Sequence, residues 1–298
     1  MSEIFTPPIA LHDVLVEPRP ARNLEAQGIY SRIVNGINVH AITCGWIKYR
    51  NAHIHSFLNP YLVILDPTWS DWAPIFAWVI EHPEGTIVID TGETARASHP
   101  ENIKGSGMNG WLNKQLARIN INESTDIRAK LSLLGIDPLD VRWVILTHLH
   151  LDHAGGIEYF PKSEILLSHM EYVRPYAFVE GLYPSWFKPN LIGYFHDIGG
   201  VFRDGHVLTK AGDVVIVPTP GHTLNHQSVI LKAPGGDLFF GGDASFNTAH
   251  METGFVPGIN VNRRIARQTL VEIRAYCDST PTTFLPSHDL AAVKNFFH

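Results

Sequence analysis

Short apolar runs, rich in β-branched and aromatic residues, recur along the chain, and most are bounded by glycine, proline or aspartate. This pattern is typical of β-strands. It predicts strands over residues 37–43, 61–65, 75–80, 86–90, 142–147, 164–168, 213–217, 227–231, 237–241 and 283–285.

Two segments have the spacing of an amphipathic helix instead. Residues 126–134 carry one apolar face, with Asp126 near the start and Gly135 past the end. Residues 262–277 begin with Asn262, a good N-cap residue. The apolar stripe predicted for this second helix consists of Ile265, Leu270, Ile273 and Cys277.

Strands and helices interleave, and no linker divides them. This order predicts a single α/β domain of two packed sheets over residues 36–298. Residues 1–35 are rich in proline, polar residues and isolated aliphatic residues. They are expected to form an N-terminal arm that packs on the domain or on a partner chain.

Composition narrows the function classes. The 298 residues are 45% hydrophobic and 17% charged, which is typical of a globular chain with a large core. The net charge is -6 and there is no cluster of lysine and arginine, so a nucleic-acid partner is not expected. Two cysteines, no apparent signal peptide and no long apolar run predict a soluble cytoplasmic protein without membrane contact.

The segment VILTHLHLDHAGG, residues 144–156, gathers side chains that bind metals. His148, His150, Asp152 and His153 follow an apolar run that is predicted to be a buried strand. Imidazole nitrogens and carboxylate oxygens suit zinc and similar divalent ions. A polar loop with histidines by chance is the alternative, and the density of ligands argues against it.

Three later segments repeat the order of strand, tight turn and ligand. They deliver His222 in PTPGHT, Asp243 in FFGGDAS and His288 in FLPSHD. Each alone is weak, because a histidine or aspartate at a strand end is more often a cap or turn residue. Together, and in this order, they predict the remaining ligands of one site.

The series HxHxDH, GH, GDAS and SHD resembles the metallo-β-lactamase superfamily, and most closely its N-acyl-homoserine lactonase branch. The segment TIVIDTGE, with Asp90 at its centre, matches the first motif of the superfamily. The resemblance implies an αββα sandwich. It also implies two metal ions, one on His148, His150 and His222 and the other on Asp152, His153 and His288, with Asp243 bridging. Asp90 is then expected to support a ligand rather than to bind metal.

The chemistry that the resemblance implies is hydrolysis. Two divalent ions about 3.5–4 Å apart hold a shared water and make it a hydroxide nucleophile near neutral pH. Zinc is the expected metal, with iron, cobalt and manganese as alternatives. Asp243 and Asp152 are the expected catalytic carboxylates, and Asp152 is the candidate proton carrier to the leaving oxygen. The substrate is expected to be a small lactone or ester, foremost an N-acyl-homoserine lactone.

Other classes fit the sequence less well. A β-lactamase usually lacks the bridging aspartate, and a flavodiiron protein has glutamate at the position of His150. A glutathione thioester hydrolase and a ribonuclease would carry extensions that are absent here. One departure from the lactonase pattern is Phe246, where that branch has tyrosine. It keeps open another lactone, an aryl ester or a phosphotriester as substrate. A non-enzymatic ligand-binding protein is the rival of another class.

Two aromatic regions are candidates for the substrate pocket. Residues 171–195 supply Tyr183, Trp186 and Phe187, which are predicted with Phe246 to contact the substrate. A connection that covers the core is the alternative for that stretch. Residues 46–78 are also aromatic and are predicted to form the opposite wall or the interface of a homodimer. His169 is expected to support the site or cap a helix rather than to bind metal.

Overall fold

The computed structural model describes residues 23–298 except 56–59, 99–110, 112–113 and 178–182. For residues 60 and 61 it describes the backbone only. The strands are β1 Ile29–Val34, β2 Ile37–Tyr49, β3 Ala73–Glu81, β4 Ile87–Ile89, β5 Ala117–Asn120, β6 Trp143–Ile145, β7 Glu164–Ser168, β8 Asn190–Ile192, β9 His196–Asp197, β10 Asp204–Val207, β11 Val214–Pro218, β12 Gln227–Leu231, β13 Asp237–Gly242 and β14 Thr282–Pro286. The helices are α1 Asn51–His55, α2 Pro60–Val63, α3 Ile127–Leu134, α4 Leu151–Ala154, α5 His169–Val173, α6 Thr248–Thr253, α7 Arg263–Ser279 and α8 Leu290–Phe297.

The strands form two sheets. The first has the order β1-β2-β3-β4-β6-β7-β8, and β5 pairs with the far end of β2. Its strands β4, β6, β7 and β8 are parallel neighbours. The second sheet has the order β14-β13-β12-β11-β10-β9, in which β13 and β14 are parallel and the other pairs are antiparallel.

Three apolar clusters hold four layers together. The central cluster joins the inner faces of the two sheets, where Trp78 of β3 and Phe240 of β13 have ring centroids 5.1 Å apart. A second cluster packs α3, through Ile127 and Leu131, on the outer face of the first sheet. The third packs α7 on the outer face of the second sheet, where Leu270 is buried. The layers therefore run helix, sheet, sheet, helix, which confirms the predicted αββα sandwich in one domain.

Most predicted elements are present with boundaries shifted by one or two residues. Asp126 caps α3 by accepting from the amide of Ala129, and Asn262 caps α7 by accepting from Arg264 and Ile265. The prediction of a strand over 61–65 was wrong, because Pro60–Val63 is helical. A short apolar run does not distinguish strand from helix, and proline favours the first turn of a helix.

Two further predictions need adjustment. The buried stripe of α7 includes Ala266, Leu270, Ile273 and Tyr276, whereas Ile265 is exposed at the helix surface. Ile29–Val34 pair with Ile37–Ile42 as the edge strand of the first sheet, so the sheet begins inside the segment predicted as an arm. Residues 1–22 lie outside the described residues, and the packing of an arm stays a prediction.

The topology gathers several loops at one edge of the sandwich. The carboxyl ends of β4 and β6 lead to Asp90 and His148 in the first sheet. The carboxyl ends of β11, β13 and β14 lead to His222, Asp243 and His288 in the second sheet. Ligands of α/β folds collect beyond the carboxyl ends of strands. In the part of the chain that the structure describes, no helix has the length and apolar character needed to cross a membrane.

Candidate metal centre

The structure brings all seven predicted ligands together at this edge. Their ligand atoms form three overlapping groups, and within each group the atoms lie within 4.8 Å of one another. The groups are His148–His150–His222, His148–His153–Asp243 and Asp152–His153–His288. We refer to the first as the histidine group and to the last as the mixed group.

The histidine group consists of three converging imidazole nitrogens. Nε2 of His222 lies 3.2 Å from Nε2 of His148 and 2.9 Å from Nδ1 of His150. His148 and His222 are completely buried. His150 is the N-cap residue of α4 with extended backbone, which turns its ring toward the other two.

The mixed group places a carboxylate beside two imidazoles. Oδ2 of Asp152 lies 3.5 Å from Nε2 of His288 and 3.7 Å from Nε2 of His153. All three side chains are buried. Asp152 and His153 are neighbours on the short helix α4, and His288 approaches them from the end of β14.

Asp243 lies between the two groups, with one carboxylate oxygen toward each. Its Oδ1 is 3.3 Å from Nε2 of His153 and 3.3 Å from Nε2 of His288. Its Oδ2 is 3.5 Å from Nε2 of His222 in the histidine group. Gly242 makes this position accessible: its φ is +54°, and a Cβ atom there would lie 2.7 Å from Nε2 of His226.

The donor set fits metal ions. Nε2 of His153, Nε2 of His288 and Oδ1 of Asp243 are buried without a hydrogen-bond partner among the described residues, although they face one another. A buried polar atom without a partner costs about 1–3 kcal/mol. Nitrogen and oxygen ligands that converge from several loops offset this cost when a divalent ion such as zinc binds them.

The histidine group is electrically neutral. Burial, reinforced by the neighbouring imidazoles, lowers the pKa of His148 well below its usual value. Burial also lowers the pKa of His150, and it lowers that of His222 strongly. Neutral imidazole is the form that binds metal, so these rings need not lose a proton before binding.

The mixed group favours positive charge. Burial alone lowers the pKa of His153, but the carboxylates of Asp243 and Asp152 outweigh burial and raise it well above the usual value. The pKa of His288 is raised for the same reason, because Asp243 outweighs burial. Burial raises the pKa of Asp243, yet His153 and His288 hold it well below its usual range. Such a field attracts a cation.

Hydrogen bonds on the outer side fix the ligand rings. Nδ1 of His153 lies 2.8 Å from Oδ2 of Asp90, and Nδ1 of His288 donates to the carbonyl of Pro74 at 2.8 Å. Nδ1 of His148 pairs with the Thr147 hydroxyl at 3.0 Å. Asp90 therefore contacts the outer nitrogen of His153 and does not belong to any of the three groups of candidate ligands. Its carboxylate also accepts hydrogen bonds from the amide and the hydroxyl of Thr147.

Three residues were missed by the sequence reasoning. His226 is completely buried, and its Nε2 accepts from the amide of Asp243 at 3.1 Å. Burial lowers its pKa to about 3. Glu171 accepts from the Thr223 hydroxyl and from the amide of Leu149, so it connects the two loops that carry the histidine group. A histidine four residues after His222 is a signal that was available in the sequence.

Tyr49 is the third missed residue. It ends β2, is buried, and donates from its hydroxyl to Oδ2 of Asp152 at 3.1 Å. Burial and the charges of Asp152 and Asp243 raise its pKa well above the usual value, so the phenol stays protonated. It lies inside the aromatic region 46–78, where nothing in the local pattern distinguishes it from the other rings.

The predicted substrate residues occupy different environments. Phe246 lies against the mixed group, stacked on His288 with ring centroids 5.5 Å apart. Tyr183 and Phe187 stack on each other and pack against the second apolar cluster, and the Tyr183 hydroxyl donates to the carbonyl of Leu149. Trp186 is 40% exposed. His169 begins α5 and is exposed at the surface, in no metal-binding group of the described residues.

A groove of about 520 Å³ opens onto the mixed group. His288 and Phe246 form its inner end, and Trp69 and Trp72 lie along it with Ile54. The Arg50 guanidinium lies 4.1 Å from the ring centre of Trp69, which holds this ring in place. The groove therefore follows the aromatic region 46–78 rather than the stretch 171–195.

The chain is similar in sequence to known proteins. The N-acyl homoserine lactonase AttM of Rhizobium radiobacter is 29% identical over 239 residues, which cover 75% of this chain and 84% of that protein. The N-acyl homoserine lactonase of Bacillus cereus is 26% identical over 264 residues, or 86% and 94% of the two chains. Both relatives are named as lactonases, which hydrolyse ester bonds.

A solved structure has the same fold. It is an N-acyl homoserine lactone hydrolase with the product N-hexanoyl-L-homoserine bound at its catalytic metal centre. It superposes with a TM-score of 0.70 at 19% identity, covering 90% of this chain and 96% of that one. The sequence profile of the metallo-beta-lactamase superfamily matches residues 70–288. The chain therefore belongs to the metallo-beta-lactamase superfamily.

Proposed function

We propose that this protein is a metal-dependent hydrolase that opens the lactone ring of N-acyl-homoserine lactones. The position of Asp243 carries the proposal: its two oxygens face two separate groups of histidine and carboxylate ligands. The relatives named as lactonases support the choice of substrate.

Seven residues would hold two divalent ions. His148, His150 and His222 would hold the first, Asp152, His153 and His288 the second, and Asp243 both. Zinc suits this mixture of nitrogen and oxygen ligands, and iron, cobalt and manganese are alternatives because such sites also follow metal availability. When bound, the ions activate water as a nucleophile and polarise the substrate carbonyl.

The protein's own groups prepare the site for this chemistry. Phe246 stacks on His288, and the ring of Tyr49 meets His288 edge-on, so two aromatic rings pack beside this ligand. The carboxylate of Asp152 lies beside His288, and from there it would carry a proton to the leaving alkoxide of the opened ring. Asp90, Thr147 and Pro74 hold the rings that face the reaction centre.

The groove gives the substrate a place beside the ligands. Its tryptophans and Ile54 provide apolar surface for an acyl chain, while the inner end at His288 and Phe246 would face the ring that is opened. Pockets for small molecules combine apolar surface with polar anchors. This groove offers both, because Asn51, Ser70 and Asp71 also line it.

The test combines metal analysis with a substrate panel. Protein purified without chelator, then reconstituted with zinc, is expected to hold two ions per chain. It is then assayed with a medium-chain acyl-homoserine lactone, an unrelated lactone, an aryl ester, a phosphotriester and a β-lactam. We expect kcat/KM to be highest for the homoserine lactone. We also expect the His150→Ala variant to lose most of this activity. At most one bound ion after reconstitution would overturn the dinuclear site.

A second candidate function is hydrolysis of another lactone, an aryl ester or a phosphotriester at the same centre. Phe246 favours it, because this ring presents no hydroxyl to a carbonyl at the place where it covers His288. A substrate panel in which the homoserine lactone ranks below one of these esters would select this candidate. A chain that binds metal but turns over none of the panel would favour a non-enzymatic ligand-binding protein.

A further inference from the structure

The Tyr49 hydroxyl makes a direct hydrogen bond to one of the seven ligands. It donates to Oδ2 of Asp152 at 3.1 Å, and both side chains are buried. The same oxygen is the one that faces Nε2 of His288 at 3.5 Å. Tyr49 therefore helps to orient the Asp152 carboxylate toward His288.

Each residue of the mixed group has a partner outside the seven ligands, and for Asp152 that partner is Tyr49. His153 is held by Asp90, and His288 by the carbonyl of Pro74. Within the described part of the chain, the Asp152 carboxylate accepts a hydrogen bond from the Tyr49 hydroxyl. Without it, rotation of the carboxylate about its last torsion is broad, because such sp³–sp² torsions have no sharp minima.

Tyr49 is itself rigidly placed. Its backbone amide donates to the Ser70 hydroxyl, and its carbonyl accepts from the Ser70 amide at 2.8 Å. Its ring meets Phe246, His288 and His53 edge-on, with ring centroids 5.7, 6.0 and 5.6 Å away. Three edge contacts and a strand end fix the direction of the hydroxyl before any ligand arrives.

We propose that Tyr49 is a positioning residue. It holds the Asp152 carboxylate toward His153 and His288, the other members of the mixed group, and so determines how tightly the metal ion of that group is retained. This inference rests on the proposed function. A hydrogen-bond partner of a metal ligand typically contributes about 10–100-fold to metal affinity or activity. Tyr49→Phe removes the hydroxyl and keeps the ring that packs against Phe246 and His288.

The experiment measures metal retention in the full chain. Wild type, Tyr49→Phe and Tyr159→Phe are loaded with zinc, and the bound ions are counted as a chelator is titrated. Tyr159 is the matched control, because its hydroxyl also donates to an aspartate, Asp126, at 2.9 Å, away from the seven ligands. Turnover is followed in parallel, with kcat and KM separated.

Tyr49→Phe is expected to release one of its two ions at about 10–100-fold lower chelator strength, with the other unchanged. Its kcat should fall more than its KM rises, whereas Tyr159→Phe should retain both ions like the wild type. Equal retention in Tyr49→Phe and wild type would overturn the inference. A wild-type chain that binds no ion would instead overturn the proposed function, so the two failures are distinguishable.

A double-mutant cycle guards against a general loss of folding. His288→Ala removes a ligand of the mixed group, so the ion that remains is the one on the histidine group. Adding Tyr49→Phe to His288→Ala is expected to leave the retention of that ion unchanged, because the two changes affect the same group. A further loss of the remaining ion would show that Tyr49 acts on the whole fold, and it would overturn the positioning role.

Discussion

Nδ1 of His153 lies 2.8 Å from Oδ2 of Asp90, and both side chains are buried. The backbone of Asp90 has a φ of 57°, in the left-handed region that costs a residue other than glycine about 1–3 kcal/mol. The same carboxylate accepts from the amide and hydroxyl of Thr147. A strained residue with three hydrogen bonds connects β4, β6 and the ligand His153, so its conformation is maintained by the site.

Asp90→Asn is expected to weaken the retention of a metal ion by about 10–100-fold. The amide keeps the shape of the side chain but replaces one acceptor oxygen with an NH2 donor. His153 and Thr147 both donate to the carboxylate of Asp90, so at least one of their hydrogen bonds is lost. Chelator titration of the zinc-loaded protein measures the change. Asp237→Asn, which affects a buried carboxylate paired with Tyr276 away from the ligands, is the control. Unchanged retention in Asp90→Asn would contradict the anchoring role.

Removal of single ligands should separate the two groups. His150→Ala affects the histidine group and His288→Ala the mixed group, so each variant is expected to keep one zinc ion. Asp243→Ala is expected to lose most of both, because its two oxygens face both groups. Elemental analysis after reconstitution gives the stoichiometry, and activity should fall strongly in all three. An Asp243→Ala variant that keeps two ions would contradict the bridging role.

The candidate ligands that the structure brings together could be predicted from the sequence because the segments that carry them follow strands. A strand fixes where its last residue lies. In the second sheet β11, β13 and β14 run in the same direction, and the residues that follow them meet those that follow β6. Short motifs such as GGDAS and PSHD then identify the ligand type. The sandwich followed from the same alternation of strands and helices. Both predictions depend on local signals that tertiary packing left unchanged.

The supporting residues were harder to predict. Tyr49 meets Asp152 across 103 positions, and its role depends on the length of β2 and on the path of the chain after it. Residues 61–65 were misread as a strand because a short apolar run lacks a diagnostic period. Aromatic content predicted pocket walls at both 171–195 and 46–78, and for 171–195 it left a core-covering connection open. Tyr183 and Phe187 pack against the second apolar cluster, and the substrate wall itself stays a prediction. Content alone does not reveal which face of a loop is covered.

Substitutions in the two aromatic regions are expected to identify the substrate wall. Trp72 lies on the groove that reaches His288, and it is 42% exposed. Trp72→Ala should raise KM for long acyl chains more than for short ones, because loss of uniform binding affects KM first. Trp186→Ala is the matched change in the stretch 171–195. A chain-length effect in Trp186→Ala and none in Trp72→Ala would favour a wall formed by 171–195 alone, and an effect in both would favour the two opposite walls predicted from the sequence.

Phe246→Tyr tests the substrate directly. Phe246 stacks on His288 and meets the edge of Tyr49, so a hydroxyl at its ring would enter the space beside the mixed group. Loss of one hydrogen-bond donor that stabilises the transition state lowers the rate by about 10²–10³-fold. If the native substrate is an acyl-homoserine lactone, the site works without this hydroxyl, and kcat/KM should change far less than that range. Phe297→Tyr, on the C-terminal helix, controls for an added hydroxyl elsewhere. Negligible turnover by the wild type with a gain of about 10²-fold in Phe246→Tyr would assign the native reaction to a different ester and leave the metal centre unaffected.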